Sequence, residues 1–214
     1  MASITATLLT LVVIGHSVAG RPIQAVHVGG HGPTVLVVGC IHGNECAALP
    51  IVAQLEKTHP AGEDLWVIPE ANPDGTAADR RTNDDGVDLN RNFPTGWAPV
   101  APRGDLQYAG PRPSSEPETR ALEAFIRSLR PAVTIWYHQP QDQVRAWDGS
   151  AAIAHRYARL AGLHYASLDW PSGSAPHWQN LALHEKSFVV EFAPGPLSAA
   201  QVGRNVRAVL EIAR

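Results

Sequence analysis

The chain has 214 residues, 44% of them apolar and 17% charged, which suits one globular domain with a proper core. A net charge of −3 removes the electrostatic case for nucleic acid or an anionic membrane as partner. The two cysteines, Cys40 and Cys46, do not make a disulfide framework, so neither a reducing nor an oxidising compartment is excluded; CxxxxxC alone is also poor evidence for a zinc finger.

The N-terminus is ambiguous. TATLLTLVVIG, residues 5–15, is apolar, and SVA before Gly20 has the form of a signal-peptidase site. No Lys or Arg precedes the run, which argues against a secretory signal, and the run falls short of the roughly 20 apolar residues of a membrane helix. The expected location is cytoplasmic; a cleaved signal would make the protein secreted or periplasmic instead. The length predicts neither a propeptide nor a further domain.

Apolar runs rich in β-branched residues predict strands at QAVHV, TVLVVG, DLWVIP, AVTIWY and SFVVEF. A helical pattern covers residues 45–57. Ser115-Glu116-Pro117-Glu118 has the form of a capping box ahead of TRALEAFIRSL. SAAIAHRYARLAG and the closing SAAQVGRNVRAVLEIAR, which opens Ser-x-x-Gln, complete the helices. Strands alternating with helices predict one α/β domain over residues 1–214, an α/β/α sandwich with a mixed, mostly parallel twisted sheet. Residues 72–113 are rich in Gly, Pro, Asn, Asp and Arg, and a stretch that long without periodicity is usually functional or disordered.

In open α/β sheets, ligands bind beyond the carboxyl ends of the strands. His42 follows TVLVVGCI, His138 follows AVTIWY, and Glu191 ends SFVV. His42 and Glu45 stand three apart, so at a helix start both face one ion, and Gly43 lets the chain turn between them. His138 would be the third ligand. Two histidines and a carboxylate form a known hydrolytic zinc set, which leaves a position for water. HxxE alone is a common chance match. His16, His27, His31, His59, His155, His164 and His184 read as surface or core residues, and both cysteines as small buried apolar ones. In RRTNDDGVDLNRNFP, residues 80–94, Asn90 and Arg91 stand side by side and can hold a carboxylate through a neutral donor and a bidentate fork.

HxxE, NPDG, the Arg81-x-Asn segment leading to GVDLNRNFP, a strand-end His and a strand-end Glu together resemble the zinc carboxypeptidases of the carboxypeptidase A type, in order and spacing. GHSVAGRPI, residues 15–23, resembles the family's opening segment, so the likeness covers nearly the whole chain and weakens the signal-peptide reading. DLNRNFP and SEPETRAL look most like the small bacterial branch that includes murein peptide amidase, which acts on γ-D-glutamyl-diaminopimelate bonds. The resemblance implies one Zn²⁺ held by His42, Glu45 and His138. It implies Glu191 as general base and acid, and Arg81 as the group that polarises the scissile carbonyl. Asn90 and Arg91 would bind the substrate's terminal carboxylate, and Asp88 would orient His42. The implied substrate is a small peptide or muropeptide, with no nucleic-acid or membrane partner.

The family's mobile tyrosine is missing. Leu168 or Asp169 stands near its place, and Tyr165 is off register. Gly173-Ser174 resembles the specificity-pocket segment, while His177 and Trp178 fit a pocket wall or a surface loop with a buried Trp equally well. Two other activities share parts of the pattern: an N-acyl amino acid deacylase of the aspartoacylase or succinylglutamate desuccinylase type, and a catalytically inactive peptide-binding homologue.

Overall fold

Four strand segments carry apolar residues on both faces, which only a sheet covered on both sides can bury. A computed structural model describes residues 9–212 apart from Leu168 and places these segments at the centre of an eight-stranded sheet. The strands are β1 (Thr10–His16), β2 (Pro22–Gly30), β3 (Thr34–Cys40), β4 (Asp64–Glu70), β5 (Val133–His138), β6 (Gln143–Ala146), β7 (His164–Ser167) and β8 (Lys186–Glu191), in the order β1-β2-β4-β3-β5-β8-β6-β7. The run β4-β3-β5-β8 is parallel, as is β6-β7; the pairs β1-β2, β2-β4 and β6-β8 are antiparallel. This is the mixed, mostly parallel α/β sheet expected.

Among the described residues six α-helices flank it: α1 (Leu49–Leu55), α2 (Pro73–Ala77), α3 (Pro117–Leu129), α4 (Ala151–Ala161), α5 (Ala175–Ala182) and α6 (Ala199–Glu211). Alternation along each strand divides the core in two. Val35, Val37, Ile135, Tyr137, Phe188 and Val190 pack with α1, α4 and α6. Leu36, Val38, Trp136 and Val189 face the other way, with Leu122 and Ile126 of α3 and Trp178 of α5. Among the described residues, no helix is long and apolar enough to cross a membrane.

Several local expectations change. The helix predicted over 45–57 begins only at Leu49, because Pro50 must stand in the first turn, where its missing N–H costs nothing. His42 and Glu45 therefore lie on a turn ahead of the helix, closed by Glu45 N–H donating to the His42 carbonyl at 3.0 Å. That fold-back brings the Cys40 and Cys46 Cα atoms to 5.2 Å and their sulfurs are bonded, so the two are not separate small apolar residues. The capping box at Ser115 does not form; Glu116 is the N-cap and makes no side-chain cap. The Ser115 hydroxyl is engaged by Asn92 Nδ2 at 2.9 Å and by Glu116 Oε1 at 2.6 Å. The box at Ser198 and Gln201 does form. The apolar N-terminal run, from Thr10 on, is edge strand β1; residues 1–8 lie outside the described part. Strands β1, β6 and β7 and helices α2 and α5 are not in the predicted set.

Candidate metal centre and active site

Residues 72–113 hold little regular structure beyond α2, and buried side chains fix the stretch. Asn72 caps α2 by accepting from Gly75 N–H at 2.9 Å, so NPDG is a short helix and not a bare turn. Asn83 Nδ2 donates to Glu116 at 2.7 Å, and Asn92 Nδ2 donates to the Ala109 carbonyl at 2.8 Å. The NPDG helix packs onto the HxxE turn so closely that a Cβ on Gly43 would sit 1.9 Å from the Gly75 carbonyl carbon. Gly43 is therefore required by that contact, not by a left-handed turn, since its φ lies outside the glycine-favouring range.

The turn, β5 and β8 then meet. In the parallel register His138 stands beside Glu191, and alternation places both on the face of Trp136 and Val189. His42 Nδ1 and His138 Nδ1 each lie 2.9 Å from Glu45 Oε2 and 3.1 Å from one another. Ligand atoms of the three buried residues all fall within 4.8 Å of each other. Atoms sharing a tetrahedral zinc at bonds near 2.0 Å are roughly 3.3 Å apart. Two imidazole nitrogens and one carboxylate, crowded to this spacing, thus fit a single Zn²⁺ in donor type and in separation.

A second layer fixes these groups. Asp88, fully buried, lies with Oδ1 3.0 Å from His42 Nε2 and accepts there from Asn90 N–H at 2.9 Å. Its Oδ2 accepts from Arg81 Nε at 2.9 Å and Nη2 at 2.8 Å. Arg81 Nη1 donates to Glu45 Oε1 at 2.8 Å. Of the five N–H of a guanidinium, Asp88 and Glu45 take three, which locks Arg81 against the site. Asn90 Oδ1 accepts from Ala175 N–H at 3.0 Å, and its Nδ2 lies 3.4 Å from His138 Nε2.

The electrostatics follow. Burial alone would push the Asp88 carboxyl up, but His42, Arg81 and Arg91 hold it well below the usual carboxylate range. Glu45 is likewise pushed up by burial and pulled down further by hydrogen bonds from His138 and His42. Burial, the largest single influence, would lower the His42 imidazole, but the charges and hydrogen bonds of Asp88 and Glu45 together outweigh it, so its pKa is raised. A metal ion takes the neutral imidazole, so binding there competes with protonation.

His42, Glu45, His138, Arg81 and Asn90 line one cleft of about 140 Å³ together with Arg91, Arg145 and Glu191. Every residue named from the sequence as a metal, catalytic, substrate-binding or orienting group is in this cleft or, for Asp88, directly behind it. Glu191 is 7% exposed, and its Oε2 has no hydrogen-bond partner among the described residues. Trp178 is not a wall of the cleft: it is fully buried in the core against Phe93. His177 stacks on Trp170 instead of lining the cleft. Tyr165 sits on β7 beside His155, away from the cleft, and Asp169 is exposed; Leu168 lies outside the described residues. Where the missing tyrosine was sought, Trp170 forms the wall, stacked on Trp147 at 3.5 Å. Trp147, Trp170, Gln139 and Arg145 went unread in the sequence. The signal for Arg145 was the short Val-Arg-Ala alternation after His138, which starts an unforeseen strand.

A family model described as zinc carboxypeptidase matches residues 1–146. Murein peptide amidase A of Escherichia coli K12 is 33% identical over 124 residues, covering 49% of this chain and 48% of that protein. A metallocarboxypeptidase A-like protein of Trichophyton verrucosum is 36% identical over 150 residues, covering 56% of this chain and 36% of that protein. The matched stretches thus span half or less of these relatives. The crystal structure of a murein-tripeptide amidase from Escherichia coli O157 superposes with a TM-score of 0.79 at 25% identity, over 98% of this chain and 94% of that one. Carboxypeptidase A from Helicoverpa armigera shares the fold at a TM-score of 0.80 and 20% identity, over 97% of this chain and 68% of that one.

Proposed function

The chain belongs to the zinc carboxypeptidase family, and from that premise we propose that it hydrolyses a peptide or amide bond next to a free carboxylate. The observation that carries this reading is the convergence of His42, Glu45 and His138 beside Glu191, the neighbour of His138 across β5 and β8. Zn²⁺ held by the three would supply a Lewis acid and make water more acidic. Glu191, with one carboxylate oxygen unpartnered, takes a proton from water and returns it to the departing amine. An amide leaves poorly, so the second transfer matters as much as the first. Arg91 and Asn90 hold the terminal carboxylate, which makes the enzyme cut at chain ends rather than within chains. Arg81, fixed on Asp88 and Glu45, offers its remaining N–H toward the carbonyl oxygen of the cut bond.

The names of the bacterial relatives support muropeptides as the substrate class. The test is to incubate the zinc-loaded protein with a muropeptide mixture, ordinary peptides, the same peptides with amidated C-termini, and N-acetyl-aspartate, and to identify released amino acids by mass. Release from free-carboxylate substrates only supports the proposal. Release of aspartate from N-acetyl-aspartate alone, or no release at all, overturns it.

A further inference from the structure

The mechanism leaves one cation in the cleft without a task. Arg81 is held by Asp88 and Glu45, and Arg91 is assigned to the α-carboxylate. Arg145, on β6, lines the same cleft with its side chain only 16% exposed. Its Nη1 donates to the neutral Gln141 Oε1 at 3.0 Å, and its nearest carboxylate oxygen, Glu191 Oε1, is 3.7 Å away, beyond hydrogen-bond range. Its Nε has no partner among the described residues, and its guanidinium lies 5.7 Å from the Trp147 ring centre. A half-buried guanidinium short of acceptors is costly until an anion supplies them.

Its neighbours point the same way. Trp147 Nε1, a donor only, and Ser174 Oγ also lack hydrogen-bond partners among the described residues, and both residues line the cleft. Apart from the pair that binds Arg81, the cleft sets two arginines, Arg91 and Arg145, against one carboxylate, Glu191. Arg91 is close enough to Arg145 to feel its charge: burial lowers Arg91 first, Asp88 opposes this, and Arg81 and Arg145 add to the lowering.

We infer that Arg145 is a specificity-determining residue, the receptor for a second carboxylate on the amino acid that departs with the free α-carboxylate. The inference rests on the proposed hydrolysis and narrows its substrate class. A glutamate side chain and the distal carboxylate of a diamino diacid present the same chemistry, whereas a lone ammonium is repelled.

The test compares wild type, Arg145→Gln and Arg145→Lys, each checked for folding by thermal melting. Substrates are acyl-alanyl peptides ending in Glu, Gln, Leu or Lys, and a γ-D-glutamyl-diaminopimelate peptide. Binding of free glutamate and free glutamine is measured by calorimetry alongside turnover. The expected result is a kcat/KM for Glu at least about 10-fold above Gln and higher still above Lys, a ratio lost in Arg145→Gln and partly kept in Arg145→Lys. The diaminopimelate arm shows which diacid is preferred, and its rate should also fall in Arg145→Gln. Equal use of Glu and Gln by the wild type overturns the inference. So does an equal loss on Glu, Gln and Leu in Arg145→Gln, which would mean that Arg145 acts only through Glu191. Should no peptide be cleaved while glutamate still binds at least about 10-fold tighter than glutamine through Arg145, the hydrolysis reading fails and the receptor stands.

Discussion

Asp88→Asn removes one charge and keeps the shape. In the wild type both Asp88 oxygens are acceptors, Oδ1 for Asn90 N–H and the His42 ring, Oδ2 for two N–H of Arg81. An asparagine can accept on one side only. Whichever way its amide turns, its NH₂ meets donors: His42 and Asn90, or Arg81. Each lost charge-assisted bond is worth about 1.5–3 kcal/mol, and the facing donors add to that because the site is fully buried. Breaking a buried ionic contact on one side costs about 3–5 kcal/mol, so the fold should loosen measurably. At the metal, the ring of His42 loses the partner that sets its tautomer, and zinc affinity should fall about 10- to 100-fold. Chelator competition at pH 7 measures the affinity, and thermal melting with excess zinc shows that the variant is folded when assayed. A folded variant that binds zinc within about 2-fold of wild type would refute the orienting role of Asp88.

Glu191→Gln should bind zinc and substrate normally and lose about 10²- to 10⁴-fold in kcat; near-normal turnover would remove Glu191 from the proton transfer. Arg91→Ala should raise KM for free-carboxylate substrates and leave amidated ones alone, so an equal loss on both would count against anchoring. Gly43→Ala must push its methyl into the Gly75 backbone, and both thermal stability and zinc affinity should drop; a variant that melts with wild type would show that the contact yields. Asp74 gives a pH prediction. Burial would raise its carboxyl, but Ala19 N–H, the Ser17 hydroxyl and Arg21 hold it below the usual range. Its folded pKa is below the unfolded one, so its stabilisation is present above about pH 4 and is lost as pH falls through the folded value. The gap in melting temperature between wild type and Asp74→Asn should be wide at pH 7 and shrink toward pH 2; a constant gap would contradict this.

The central strands were legible because β-branched runs buried on both faces leave few alternatives. The meeting of the candidate residues in one cleft was foreshadowed by their places at strand ends and in one loop, whereas the role of each came only from the resemblance to the zinc carboxypeptidases. What escaped was set by tertiary contact. The edge strand β1 reads as a leader-like apolar run because its apolar residues are consecutive rather than alternating, although its partner β2 is the next strand. The fourth residue of the Ser115 box could not reveal that Asn92, more than twenty residues back, would engage the serine. The start of α1 at Leu49 was readable from Pro50, but the Ala- and Leu-rich pattern before it carried the helix too far back. Trp147 and Trp170 come from segments on either side of β7, and nothing local marks two such rings as stacking partners.

The account stands or falls on one cation shared by three side chains. Crystals of zinc-loaded protein, measured on either side of the zinc absorption edge, should show a single anomalous peak bonded to His42 Nδ1, Glu45 and His138 Nδ1, beside the Glu191 carboxylate. A map in which zinc sits elsewhere, or in which those three groups bind none, would contradict it.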